Sequence, residues 1–312
     1  MTQQTNPQPP DRSHLLTEKR NPRSMNLHSL TIAQCVKLMN EEDRTIAEAV
    51  KNANQSITEF ITATHQQFNE NQGRLIYLGA GTSGRLGVLD AAEAPPTFQL
   101  PENKIIGLIA GGDRSLRKSS EGLEDDYHGA VKDLKTLQIK QNDTILGIAS
   151  GGTTPYVLGA LDYAKTHANT LTALLTCTPV NETQFPFIDH LITIETGPEI
   201  LTGSTRLKAG TATKMVLNII STTLMVQQGR IYQNLMVDLR ATNDKLTDRA
   251  ARIIMTLTNL NRNQALELLN KANGKVKTAV IMHKKQIDQP TADKLLSKHK
   301  NHLQSILNND SP

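Results

Sequence analysis

A chain of 312 residues that is 38% apolar and 21% charged is long enough for one large domain with a smaller one attached. Its two cysteines, Cys35 and Cys177, exclude a disulfide framework and a Cys-based zinc site, and no apolar run approaches the roughly 18 residues that a membrane span needs. The net charge of +4 is scattered and aromatics make up only 3% of the chain, so the basic residues read as solvated surface rather than a nucleic-acid stripe.

Residues 1–12, MTQQTNPQPPDR, are polar and Pro-rich and read as a flexible tail. Residues 13–30 contain EKRNPRSMNLHSL, where Pro22 breaks helix, and an extended arm is expected. Ile32, Cys35, Val36, Leu38, Met39, Ile46, Ala47 and Val50 recur at helical spacing and predict a helix within 29–54; Ile57, Phe60, Ile61 and Phe68 predict a second over 56–69. A short apolar strand over 75–78 runs into GAGTSG and a helix, which Ala94-Pro95-Pro96 should end. A second strand is expected over 105–109. It turns through Gly111-Gly112-Asp113 into a helix carrying SSEGLEDDYHGAVKDL, with Asp113 as its N-cap.

The third strand, 144–148, leads into another Gly/Ser/Thr turn, Ser150 to Pro155, and Pro155 suits the first turn of the next helix. Strands four and five are expected over 171–176 and 191–194. A third polar turn, Thr202-Gly203-Ser204-Thr205, opens a long helix with Lys208 and Lys214 on its early turns. From about 243 the pattern is helical only, in segments 243–258, 263–271, 275–286 and 291–308, a small C-terminal bundle. Strands alternating with helices predict an α/β domain with a parallel sheet covered on both faces, over 13–240, followed by a helical domain over 241–312. Ligands of such sheets bind at the carboxyl ends of the strands, where both Gly/Ser/Thr turns fall.

The first turn has the makings of an anion cradle. The leading N–H groups of a helix have no internal partner and the helix dipole adds positive charge there. Gly81 allows close approach, Thr82 and Ser83 add hydroxyls, and Arg85 adds either charge or a solvent-facing side chain. The GAGTSG run also fits the dinucleotide fingerprint, but the acidic residue expected about 20 positions on is Lys104 here, and the next acid is the late Asp113. A phosphate monoester suits the Thr-Ser pair better. In the second turn Ser150, Gly152, Thr153 and Thr154 are the matching candidates.

Two carboxylates around a phosphate site could act as acid and base, and Glu93, Glu121 and Glu124 are placed for it. Each has the plainer reading of a solvated helix residue. Glu93 sits among small apolar residues, where burial would keep it protonated. The nine histidines show no ligand spacing, so no metal is expected; Ser83 has no nucleophile elbow.

GAGTSGRLGVLDAAEAPPTF, EGLEDD, TPYV, GPEILTGSTRLKAGTATK and NLMVDLRATNDKL, in that order, resemble the N-acetylmuramic acid 6-phosphate etherases, over about 16–307. Weaker versions occur in the glucokinase regulatory protein. The resemblance implies the sugar isomerase (SIS) fold, a three-layer αβα sandwich with a five-stranded parallel sheet. It implies cleavage of the ether between the sugar and D-lactate without metal or redox cofactor, Glu93 as the acid and Glu124 as the base. It also implies a phosphosugar substrate and a homodimer, while the sparse cysteines, the lack of a long apolar run and the scattered charge predict a cytoplasmic setting without membrane or nucleic acid. A non-catalytic phosphosugar regulator and an aldose–ketose phosphosugar isomerase are the alternatives. One departure stands out: the related pattern A-S-G-[RT]-T-P is SGGTTP here, so the serine has moved one place earlier, to Ser150, and several hydroxyls compete for the phosphate.

Overall fold

The computed structural model describes residues 11–308 apart from Asn71, Ser120, Arg240 and Thr242. The tail expected over 1–12 therefore lies almost wholly outside the described residues. Two compact units divide the chain: one runs to Ala91 and resumes over Ile105–Asn218, the other takes Ala92–Lys104 and everything from Ile219.

In the first unit the arm is not extended. It makes three short 3-10 turns, Leu16–Glu18, Pro22–Ser24 and Leu27–Ser29. Asn21 bends it, accepting the Arg23 N–H at 2.9 Å. Two helices follow, α1 (Ile32–Asn52) and α2 (Asn54–Glu70), and Thr31 caps α1 in a reciprocal box with Gln34. Strand β1 (Leu75–Gly79) precedes α3 (Gly81–Phe98) and β2 (Ile105–Ile109). Two short helices, α4 (Arg114–Arg117) and α5 (Val131–Thr136), lead to β3 (Thr144–Ile148) and α6 (Pro155–Ala168). Then come β4 (Leu171–Thr176), β5 (His190–Thr193) and α7 (Lys208–Gln227).

The five strands are parallel in the order β2-β1-β3-β4-β5. β1 and β3 are buried at every position, as expected of strands covered on both faces. One face carries Ile76, Leu78, Ile145 and Leu174 against Tyr156, Val157, Ala160, Leu161 and Ala164 of α6. The other carries Tyr77 and Gly107, on which α3 is pressed so closely that only glycines fit. A Cβ on Gly84 would lie 2.5 Å from Gly79 O, and one on Gly107 would lie 2.5 Å from Val88 Cα. Helix, sheet and helix make the expected three layers.

Further expectations around β2 need refinement. The single helix expected after Gly112 is broken into α4, a 3-10 turn at Glu121–Leu123 and α5, because the EGLEDDYHG stretch follows α6 instead of coiling: a Cβ on Gly159 would lie 1.7 Å from Tyr127 O. Asp113 stands at the N-cap of α4, but its side chain makes no capping bond. Pro95 and Pro96 do not end α3, which continues to Phe98; so close to its end, only final-turn donors are lost.

In the second unit a two-strand hairpin, β6 (Ile231–Tyr232) with β7 (Leu235–Met236), precedes α8 (Asp244–Thr258), α9 (Arg262–Lys271), α10 (Val276–Lys285), α11 (Gln289–Lys298) and α12 (Leu303–Leu307). Ile253, Ile254, Leu269, Val280, Ile281 and Leu296 are in its core. The last expected segment, 291–308, is two helices. No helix among the described residues is long and apolar enough to cross a membrane.

Candidate active site

In a sheet of order 2-1-3-4-5 the direction in which successive strands are added reverses between β1 and β3, and the crevice outside the carboxyl ends of those two strands is where such folds take ligands. Both Gly/Ser/Thr turns emerge there. Gly81 opens α3 at φ 52°, in the left-handed region. The first bond of α3 runs from the Gly84 N–H to Ala80 O at 3.2 Å. The N–H groups of Thr82 and Ser83, ahead of it, are those a helix cannot satisfy internally. Both side chains are half-buried. Arg85 does not aim its whole guanidinium outward: Nε donates to Leu116 O at 3.2 Å and Nη2 to Lys118 O at 3.4 Å, tying α3 to the segment that leads to Glu124.

The second turn is tighter than its composition suggests. Gly152, at φ 71°, donates its N–H to Ala149 O at 2.8 Å, and a Cβ there would lie 2.4 Å from Val180 Cγ1. Its glycine is required by the turn itself. Ser150, Thr153 and Thr154 are half-buried around it, and Thr154, at the N-cap of α6, makes no side-chain capping bond. The α6 amide of Tyr156 donates to Glu124 O at 3.0 Å. That bond brings the Glu124 backbone to the second turn, although Glu124 and Tyr156 are 32 positions apart in the chain. The Glu124 side chain is half-buried.

Glu93 is exposed, contrary to the burial expected of it. The helix turns Asp90, Ala91 and Ala94 inward, and Glu93 falls on the other side. Asp90 is the buried acid of that run. It accepts from Tyr77 Oη at 3.2 Å and from Lys214 Nζ at 3.3 Å, which joins β1, α3 and α7. Burial, and after it the Asp90 charge, pushes the Tyr77 hydroxyl well above its ordinary pKa.

The third polar turn hides a group that sequence reasoning missed. Glu199 is fully buried, and its two oxygens accept the N–H groups of Lys208 and Ala209, each at 2.9 Å. Burial pushes this carboxyl up against the pull of those amides. The anion position at the start of α7 is thus filled from within the chain. Lys208, also buried, donates to Glu42 Oε2 at 3.0 Å and Pro198 O at 3.2 Å. Glu42 in turn accepts from Asn21 and Arg23 of the arm, at 2.8 and 2.9 Å. A run as polar as GPEILTGSTR gives no periodic signal for such partners.

The turns, arm and helix starts meet at one end of the sheet. A Cβ on Gly210 would lie 3.4 Å from Thr82 Cγ2, and one on Gly151 would lie 3.5 Å from Leu15 Cδ1. Among the described residues no group of three or more His, Cys, Asp or Glu side chains is arranged to hold a metal ion. Backbone N–H groups and the hydroxyls of two Gly/Ser/Thr turns are gathered at the carboxyl ends of β1 and β3.

Known proteins resemble this chain. Residues 55–165 match the family model of the glucokinase regulatory protein N-terminal SIS domain, and residues 233–299 that of the C-terminal lid domain of glucokinase regulatory protein. The phosphoheptose isomerase GmhA of Neisseria gonorrhoeae superposes with a TM-score of 0.45 at 16% identity, over 62% of this chain and 98% of its own. The N-acetylmuramic acid 6-phosphate etherase of Francisella tularensis strain SCHU S4 is 46% identical over 93% of this chain and 97% of its own. That of Prochlorococcus marinus strain MIT 9313 is 50% identical over 298 residues, 95% of this chain and 93% of its own. At that identity and coverage, the chain belongs to the N-acetylmuramic acid 6-phosphate etherase family.

Proposed function

We propose that this chain cleaves the D-lactyl ether of N-acetylmuramic acid 6-phosphate by elimination followed by water addition, with Glu124 as base and Glu93 as acid. An ether resists direct hydrolysis. Opening of the sugar ring places an aldehyde at C1, which acidifies the C2 proton, and the lactyl oxygen on C3 is then β to the developing carbanion. Glu124 takes the C2 proton while Glu93 gives one to the departing lactate oxygen. Water adds to C3 of the unsaturated aldehyde, and N-acetylglucosamine 6-phosphate and D-lactate result. Thr82 and Ser83, with hydroxyls of Ser150, Thr153 and Thr154, hold the phosphate.

The observation that carries this reading is the Tyr156–Glu124 bond, which ties the Glu124 backbone to the second Gly/Ser/Thr turn at the sheet's switch point. The α1 face bearing Ile32, Val36 and Met39, exposed by 86%, 55% and 38%, supports a homodimer, which light scattering tests. A cytoplasmic setting fits a phosphorylated sugar substrate. The decisive experiment measures D-lactate release in deuterated water for wild type, Glu93→Gln and Glu124→Gln. Wild type should release lactate and carry deuterium at C2 of the product, and each variant should be slower by about 10²-fold or more. A folded wild-type protein that binds the phosphosugar and releases no lactate would leave a regulator in place of the enzyme.

A further inference from the structure

We propose that Thr17, on the N-terminal arm, supplies a phosphate-binding hydroxyl to the second turn, in place of the serine that the related pattern carries at position 151. The inference rests on the phosphosugar reading of that turn. This chain has Gly151 there, its serine having moved to Ser150. A Cβ built on Gly151 finds Thr153 Oγ1 at 3.8 Å and Thr17 Oγ1 at 3.9 Å, so two hydroxyls from separate parts of the chain flank the spot where a serine side chain would begin.

Thr17 is 1% exposed, and its Oγ1 has no hydrogen-bond partner among the described residues. A buried hydroxyl left in that state is destabilising unless something else satisfies it. Thr144 and Thr170 share the state, but they lie at the opposite, amino ends of β3 and β4. Among the described threonines in that state, Thr17 alone lies beside a turn that offers hydroxyls to an anion.

The arm is also held in position at considerable cost. The Leu16 N–H donates to Thr178 Oγ1 at 3.0 Å, and Thr17 O accepts the Gly203 N–H at 3.2 Å. Four residues on, Asn21 is fastened to Glu42 and Pro198 O over the buried Glu42–Lys208 pair. Buried charges spent on fixing an arm across the ends of the strands fit an arm that forms part of the site. A phosphate ester brings acceptor oxygens, and the Thr17 hydroxyl is a donor without one.

The test compares wild type with Thr17→Val, Thr17→Ser and the double variant Thr17→Val/Gly151→Ser. Valine keeps the shape and removes the hydroxyl. Serine at 151 meets only ordinary contacts, the nearest being Leu15 Cδ1 at 3.5 Å. Calorimetric binding of N-acetylglucosamine 6-phosphate and KM for N-acetylmuramic acid 6-phosphate are read together with kcat and the thermal midpoint. Thr17→Val should weaken binding and raise KM about tenfold or more, with kcat changed by less than about twofold. Thr17→Ser should match wild type, and the added serine should restore most of the loss. Unchanged binding in Thr17→Val overturns the proposal. So does an equal loss in Thr17→Ser, which marks a packing role, or a failure of Ser at 151 to restore binding. If wild type releases no lactate but the binding series behaves as described, the etherase reading fails and the Thr17 assignment stands.

Discussion

Replacing Lys208 by methionine should destabilise the first unit by about 3 kcal/mol at neutral pH, and the deficit should shrink in acid. Glu42 is 5% exposed and accepts from Lys208, Asn21 and Arg23 at 3.0, 2.8 and 2.9 Å. Burial alone pushes its carboxyl up; the hydrogen bonds from Lys208 and Asn21, with the charges of Lys208 and Arg23, outweigh burial and hold it below the usual range. Removing one partner of a buried pair costs about 3–5 kcal/mol, and Arg23 and Asn21 remain, so the lower end applies. A depressed folded pKa stabilises above the unfolded carboxylate value of about 4.3, and that contribution fades as pH falls through the folded value. The variant lacks most of this contribution, so its gap from wild type is widest near neutrality and closes below about pH 4. Urea unfolding at several pH values measures it. Glu42→Leu/Lys208→Met should recover most of the loss, because an apolar pair replaces the charged one with little net cost. A Lys208→Met protein within about 0.5 kcal/mol of wild type at neutral pH, or a double variant equal to the sum of its singles, would refute the reasoning.

Gly159→Ala should leave the sheet folded but lower kcat by about 10²-fold, because its methyl would start 1.7 Å from Tyr127 O and must push the Glu124 segment off α6; circular dichroism and lactate release separate the two effects. Native protein at pH 8 should react quickly with a thiol reagent at the half-buried Cys35 only, since burial pushes the Cys177 thiol up to about 12; two fast thiols per folded chain would contradict the packing around Cys177.

The parallel sheet was legible because its strands are short apolar runs bounded by turn residues. The strands over 105–109, 144–148 and 171–176 have the expected limits. Such strands are buried on both faces, so composition alone marks them. The arm was not legible. Its bends answer to Glu42 and Pro198, far along the chain, and no local pattern reports that. The hairpin of β6 and β7 has two residues per strand, too few for alternation to show. Glu93 stood out by its small neighbours, yet those neighbours take the inner side of α3 and leave it outside. Nothing in the sequence singles out Glu199; only the fold reveals that it ends against the two amides that open α7.

That last arrangement sets a limit on cargo. Three long helices begin near the carboxyl end of this sheet, and each start is a weak positive pole. At α7 the pole is neutralised by Glu199, and at α6 a leading amide is engaged by the Glu124 carbonyl. The chain itself thus supplies a partner for leading amides at two of these three starts, and the hydroxyls of the second turn stand beside the α6 start. An anion brought to the α7 start would meet the buried Glu199 carboxyl instead of open amides.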